Sequence, residues 1–349
     1  MNLAAEKVGT LADGKPVLLT GAAGFIGFHT ALRYLEAGVP VVGFDNVNDY
    51  YDQELKQARL DILGEYPGFT FHRADLSTPD AFAEVLRQHG SRLVVHLAAQ
   101  AGVRYSAENP FVYGASNLDG FLRVLEACRQ AAVAHLVYAS SSSVYGMNTK
   151  VPYAETDDVD HPVSLYAATK RANELMAHAY AHQYGIPVTG LRFFTVYGPF
   201  GRPDMAYFFF TRAILEGKPV TVYREGTLER DFTYVDDIVE AVVRIADVPA
   251  SPDPAFDRGV RDPASSSAPF RIYNIGNHKS ETVNALIGEI ERATNMKADR
   301  VELPMPAGDV EKTFADVDEL AERVDFSPAT PLSVGIERFV NWYRSYYRA

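Results

Sequence analysis

Residues 17–35 read VLLTGAAGFIGFHTALRYL: an apolar run, glycines at Gly21, Gly24 and Gly27, then apolar residues at helical spacing. Each glycine has a mechanical use where a strand enters a helix. The first allows the tight turn, the second lets a pyrophosphate approach the backbone, and the third lets helix and strand pack closely. Phosphates would then rest on the helix N-terminus, against the N–H groups around Phe25, Ile26 and Gly27. A glycine triplet also serves an ordinary tight turn, so the next strand is decisive. PVVGFD, residues 40–45, ends in Asp45, about twenty residues on, where a carboxylate holds a ribose 2′-hydroxyl and repels a 2′-phosphate. NAD is therefore expected over NADP, with Asn46 as a further cofactor-binding candidate that bears on how strict that choice is.

Outward from that stretch, short β-rich runs alternate with helical patterns up to about residue 190. FTFHRAD precedes DAFAEVLRQHG, LVVHLAA precedes NLDGFLRVLEACRQA, and HLVYASS is followed by YAATKRANELMAHAYAHQYG and PVTGLRF. Repeated βα units with nearly all-apolar strands predict an α/β fold, a doubly wound parallel sheet of Rossmann type covered by helices on both faces. After Arg192 the rhythm breaks into loops and scattered elements, which predicts a smaller, interleaved C-terminal substrate-binding lobe. The expected division is a flexible extension over 1–15, a dinucleotide lobe over 16–192, and 193–349 mainly in the second lobe. Segments near 232–246 and 271–277, the latter reading RIYNIGN, are expected to return to the first. Residues 251–270, SPDPAFDRGVRDPASSSAPF, read as an exposed excursion. VGIERFVNWYRSYY, residues 334–347, reads as a terminal amphipathic helix with its aromatics in the core or at a contact.

Composition narrows the function. Of 349 residues, 47% are hydrophobic and 22% charged, the balance of an ordinary globular chain. The net charge of −12, with no basic stripe, argues against nucleic-acid binding. Residues 1–15, MNLAAEKVGTLADGK, lack a basic start and apolar core, so no secretory signal is read there. No apolar run reaches the roughly 20 residues that span a bilayer. Cys128, the single cysteine, forms no internal disulfide and reads as a small buried hydrophobe, in keeping with a cytoplasmic location.

Chemistry concentrates in two places. YASSSSVYG, residues 138–146, closes the fifth strand, and SLYAATK puts Tyr166 and Lys170 four residues apart on one face of a helix. A tyrosine titrates near pH 10, so a nearby lysine and a nicotinamide positive charge are needed to favour its phenolate. Ser141 can share the proton. Asp75, with Leu76 after it, ends the third strand and can either reach the adenine or cap its loop. Leu97, Ala98, Ala99 and Gln100 follow the fourth strand and are mostly small enough for a cofactor to lie along the backbone.

The ordered set TGAAGFIG, LAAQAGVRYS, SSSVYG, YxxxK, RFFTVYGPFGRPDMA and RDFTYVDD resembles the extended short-chain dehydrogenase/reductase superfamily, and within it the nucleotide-sugar epimerases, over nearly the whole chain. FDNVNDYYDQELKQARL and TVYGPFGRPDMA look like the UDP-glucuronate 4-epimerases. The resemblance implies a homodimer that pairs two long helices, near Asn117–Ala131 and Leu165–Tyr184, and an NAD-dependent interconversion of UDP-glucuronate and UDP-galacturonate. In that family Tyr166 would take the sugar C4 hydroxyl proton, and a 4-keto sugar would turn over before reduction on its other face. Thr195, Arg202 and Ser142 resemble the family's carboxylate contacts, with Ser143 and Ala206 beside them. Arg230 resembles its diphosphate-binding arginine, Asp309 its uridine-side residue, and Arg104 a substrate-channel residue.

The serines also discriminate among relatives. Family 4,6-dehydratases carry Asp-Glu where this chain has Ser142 and Ser143, and the UDP-glucuronate decarboxylases carry a glutamate at the place of Ser143, so the obvious acid and base of those reactions are missing. A UDP-glucose 4-epimerase is the main alternative; a decarboxylase and a non-catalytic NAD-binding protein stand behind it. His178 and His182 in HAYAH share a helix face but lack the HExxH pattern of a zinc peptidase, so no metal is expected. The elbow GxSxG of a serine hydrolase is absent. FFF at 208–210 reads equally as core or as a uracil-pocket wall.

Overall fold

The computed structural model describes residues 8–257, 259–260, 262–304 and 311–349. The first part of the chain alternates as the sequence pattern predicts: β1 (Val17–Thr20), α1 (Phe25–Glu36), β2 (Val41–Asp45), α2 (Gln53–Gly64), β3 (Phe69–Arg73), α3 (Ala81–His89) and β4 (Leu93–His96). Two short helices, α4 (Tyr105–Glu108) and α5 (Pro110–Tyr113), lead to α6 (Gly120–Ala131), β5 (His135–Ser141), α7 (Leu165–Tyr184) and β6 (Val188–Phe193). The second part holds β7 (Thr195–Tyr197), α8 (Ala206–Leu215), β8 (Val220–Tyr223), β9 (Glu229–Tyr234), α9 (Val235–Ala246) and β10 (Phe270–Ile275). It ends with β11 (Ser280–Thr282), α10 (Val283–Thr294), β12 (Arg300–Leu303), α11 (Asp318–Val324) and α12 (Leu332–Tyr347).

Seven of these strands pair in the order β10-β6-β5-β4-β1-β2-β3, every neighbour parallel. Alternate side chains of each strand feed different cores, as the twofold repeat of a strand requires. Val17 and Leu19 of β1 join α1, α9 and α12 on one face, while Leu18 joins α3, α6 and α7 on the other. Both faces are thus covered, which is why β1 and β4 are buried at every position. The chain runs outward through β2 and β3 and then resumes at β4 on the opposite side of β1. That reversal opens a crevice beyond the carboxyl ends of the strands, where open α/β sheets bind ligands.

The second part of the chain builds two smaller sheets, β11-β9-β7 and β12-β8. It also returns material to the first. β10 adds to the sheet beside β6, and α9 lies on α1, tied by Arg33 Nε to Glu240 at 3.1 Å.

Three local expectations change. The expected flexible extension over 1–15 is packed in its described part: Val8 and Ala12 are buried, and the Leu11 N–H donates to Asp247 at 2.9 Å. Its short apolar set finds the C-terminal end of α9, a partner the local sequence does not reveal. The 251–270 segment is likewise only partly an excursion. Ala264, Ser265, Ser266 and Ala268 are buried, with His178 bonded to the Ser266 hydroxyl at 2.8 Å. The helix expected from Asn117 begins earlier, because a π-helical turn over Gly114–Asp119 joins α5 to α6. The aromatic tail helix does pack inward through Phe339 and Tyr343. Among the described residues no helix is long and apolar enough to cross a membrane.

Candidate active site

The crevice beyond the strand ends is a cavity of about 1100 Å³. At one end lies the glycine turn. Gly21 has φ +75°, and a Cβ there would meet Ala98 N at 2.8 Å; a Cβ on Gly24 would lie 2.9 Å, and one on Gly27 only 2.0 Å, from the Gly21 carbonyl oxygen. No side chain fits between β1, the loop after β4 and the start of α1. The first-turn N–H groups of Phe25, Ile26 and Gly27 have no intrahelical acceptor and carry the positive end of the helix dipole. Such a cradle fits the pyrophosphate of NAD.

Asp45 ends β2 at the cavity wall. Its carboxylate accepts from Ala23 N at 3.1 Å and Val47 N at 2.8 Å, which fixes its direction and leaves lone pairs for a ribose hydroxyl. Burial pushes its pKa up, opposed by those N–H groups and by Lys56 and Arg59. Asn46 does not stand alone beside it: its amide donates to Asp75 at 2.7 Å. Asp75 also caps its own loop through Ser77 N and Oγ while lining the cavity. Burial works against its charged form, but the Ser77 and Asn46 donors outweigh burial and hold the pKa low. Leu76, Leu97, Ala98, Ala99 and Gln100 continue the same wall.

At the centre, Ser141 is the last residue of β5, Tyr166 sits in the first turn of α7, and Lys170 lies one turn further on. Ser164 caps that helix by accepting from Ala167 N at 3.1 Å. Burial pushes the Tyr166 pKa up, opposed by the neighbouring Ser141 hydroxyl and by the charge of Arg202. Ser141 Oγ donates to Ser143 Oγ at 3.1 Å, and Lys170 Nζ donates to the Ala139 carbonyl at 2.9 Å. Burial alone brings the Lys170 pKa down to about 8. The arrangement is a linked set of hydroxyls beside a buried amine, suited to moving a proton to and from an alcohol.

The rest of the cavity wall comes from both halves of the chain. Ser142 and Ser143 start the turn after β5, Thr195 opens β7, and Ala206 opens α8. Arg202 reaches the cavity from the loop before α8, paired with Asp204 through Nε at 3.0 Å and one terminal nitrogen at 2.6 Å. Arg230 lies on β9 and donates to the Glu229 carbonyl at 2.8 Å. Arg104 stands over the Tyr223 ring at 5.7 Å. The tertiary structure brings all of these to one cavity; Asp309 lies outside the described residues.

Sequence reading missed several wall residues. Tyr50 enters from the β2–α2 connection, Lys56 from the first turns of α2, Asp204 from the loop before α8, and Tyr223 from β8. Asn117 is buried behind the wall, where it accepts from Gln100 N at 2.8 Å and donates to the Gln100 carbonyl at 3.0 Å. An asparagine inside an apolar helical run was the available signal, since a buried amide requires partners. The FFF question divides by residue: Phe208 is core, Phe210 is buried in the core and also lines the cavity, and Phe209 is 38% exposed and lines the cavity. His178 and His182 stack with their rings 6.1 Å apart, and among the described residues no group of three or more metal-ligating side chains converges.

Similarity to known proteins follows the same lines. CapI of Staphylococcus aureus is 48% identical over 332 residues, covering 95% of this chain and 99% of that one. UDP-glucuronate 4-epimerase 1 of Arabidopsis thaliana is 46% identical over 341 residues, covering 96% and 78% respectively. The crystal structure of UDP-glucuronic acid 4-epimerase from Bacillus cereus, in complex with UDP-glucuronic acid and NAD, superposes with a TM-score of 0.84 at 31% identity, covering 95% of this chain and all of that one. Residues 17–276, which contain the glycine cradle, Asp45 and the Ser141–Tyr166–Lys170 set, match the family model directly, and the chain belongs to the NAD dependent epimerase/dehydratase family.

Proposed function

We infer that this protein is a UDP-glucuronate 4-epimerase, an isomerase that interconverts UDP-glucuronate and UDP-galacturonate through a transient 4-keto sugar. Relatives of that activity match it over almost its full length. The observation that carries the assignment is one cavity holding the Ser141–Tyr166–Lys170 set on one wall and Ser142, Ser143, Thr195 and Arg202 around it. NAD, held in the glycine cradle, supplies the hydride acceptor and donor and a positive charge beside the phenol.

The chain's own residues do the rest. Tyr166 takes the C4 hydroxyl proton and later returns one to the C4 oxygen, with Ser141 sharing its hydrogen bond. Lys170, pinned by the Ala139 carbonyl, holds positive charge near the phenol and lowers the cost of its anion. Arg202 offers the N–H groups that Asp204 leaves free to the sugar carboxylate, and Thr195 and Ser142 add hydroxyl donors. A 4-keto-glucuronate is a β-keto acid; holding its carboxylate so that the C5–C6 bond stays out of line with the ketone π system restrains loss of carbon dioxide. Arg230 and Arg104 serve the diphosphate and the channel, and Asp309 the uridine side.

The same assignment takes 16–192 as the cofactor lobe and 193–349 as mainly the nucleotide-sugar lobe, in a cytoplasmic homodimer. Support for the dimer is the apolar surface of α5, α6 and α7, where Phe111 is 90% and Leu175 56% exposed, with Leu122 between them in sequence. Proton NMR of the purified enzyme with UDP-glucuronate and no added NAD tests the activity. Appearance of UDP-galacturonate without a UDP-pentose is expected. Conversion of UDP-glucose alone, or release of carbon dioxide, would overturn the assignment.

A further inference from the structure

The Arg202 guanidinium is set in place by a near neighbour in sequence that is itself held by a distant one. Asp204 accepts from its Nε and one terminal nitrogen, leaving three of five N–H donors free. Asp204 in turn accepts from the Tyr50 hydroxyl at 3.0 Å. Tyr50 belongs to the β2–α2 connection of the cofactor lobe and is tightly held. Its ring packs on Tyr105 at 4.7 Å, and its hydroxyl lies where a Cβ on Gly102, at φ +101°, would collide with it. The connection itself is stapled by Lys56, which donates to the Asn48 carbonyl and side chain at 2.7 and 2.6 Å.

A second tie comes from Arg59 on α2, which is fully buried. It donates to the Ala23 carbonyl at 2.7 Å, the Tyr51 hydroxyl at 2.8 Å and the Phe200 carbonyl at 2.6 Å. His29 of α1 bonds the Pro199 carbonyl at 2.9 Å. The backbone just before Arg202 is thereby fixed to the glycine turn, and its side chain is fixed by Tyr50 through Asp204.

We propose that Tyr50 and Asp204 are positioning residues for substrate choice: as a relay from the cofactor lobe, they hold the Arg202 guanidinium in the orientation that receives the sugar carboxylate. The proposal rests on Arg202 meeting that carboxylate. Its electrostatic sign makes it distinctive. Were Asp204 only a neighbouring anion, Asp204→Asn would make the site more positive and strengthen binding of the acidic sugar. As an orienting partner, its loss frees a long side chain with many rotamers and weakens that binding despite the added positive charge.

The test uses the intact enzyme with Tyr50→Phe, Asp204→Asn, Arg202→Ala and the Tyr50→Phe/Arg202→Ala double variant. Steady-state kcat and KM for UDP-glucuronate are measured together with inhibition by UDP, which has no sugar carboxylate. Both positioning variants are expected to raise KM for UDP-glucuronate roughly tenfold while the UDP inhibition constant stays within about twofold. Tyr50→Phe should have no further effect once Arg202 is alanine. If Arg202→Ala leaves KM unchanged, the carboxylate assignment itself fails. If Arg202→Ala raises KM but Tyr50→Phe and Asp204→Asn do not, or Asp204→Asn lowers it, the positioning role fails. Equal weakening of UDP and UDP-glucuronate, or additive effects in the double variant, would also overturn it, as either shows general damage to the cavity.

Discussion

Replacing Lys170 by methionine should make the protein more stable at neutral pH while removing its activity. Lys170 is 3% exposed, and burial brings its pKa from 10.5 to about 8. Because the folded value lies below the unfolded one, the unfolded chain holds more protons between pH 8 and 10.5, and this residue's contribution to stability rises with pH through that window. Below pH 8 the penalty for burying the ammonium is present in full. At about 1.36 kcal/mol per pH unit, the shift corresponds to roughly 3 kcal/mol. Methionine keeps most of the stem's volume but loses the bond to the Ala139 carbonyl, a loss of about 1 kcal/mol. The net gain at pH 7 is therefore about 2 kcal/mol. Paired urea titrations of wild type and Lys170→Met at pH 7 and near pH 10.5 read the difference directly. The variant should lead at pH 7, and the gap should close and then reverse slightly as the wild-type lysine loses its charge. A variant no more stable than wild type at pH 7, or a gap independent of pH, would refute the burial argument.

Tyr166→Phe keeps the ring and removes the acid/base oxygen, so turnover by NMR should fall by roughly 10²–10⁴ while UDP still protects the protein against thermal unfolding. Gly27→Ala places a methyl 2.0 Å from the Gly21 carbonyl and should cost about 1–3 kcal/mol along with retained NAD, measured by absorbance after purification. Gly288→Ala meets no atom within 4 Å on α10 and should instead stabilise by about 0.5–1 kcal/mol. Leu175→Asp puts a charge on the exposed apolar face of α7 and should shift sedimentation from dimer to monomer; unchanged sedimentation would move the proposed subunit contact elsewhere.

Much of the site was legible because its parts are local. The spacing of Gly21, Gly24 and Gly27 is dictated by one strand-to-helix turn, and the steric reason acts within a few residues. Tyr166 and Lys170 fall on one face because a helix repeats about every 3.6 residues, and Asp45 reaches the cavity because its strand ends there. Arg104, Arg202 and Arg230 were found through resemblance; their own neighbours give no sign that they face a common space.

Local sequence by itself determined the alternation of strands and helices, the apolar strands that demand cover on both faces, and the cofactor turn. Periodicity and turn chemistry are short-range, so they survive being read without a structure. The return of the segments near 232–246 and 271–277 was expected, but only the tertiary structure decided that β10 takes the edge beside β6, that α9 lies on α1, and that Val8 and Ala12 are buried rather than loose. It also decided that Tyr50 meets Asp204 across 154 positions of chain, and that Arg59 ties the glycine turn to the loop carrying Arg202. Those contacts depend on which faces the helices bring together, and a buried guanidinium takes whichever carbonyls that packing leaves within reach.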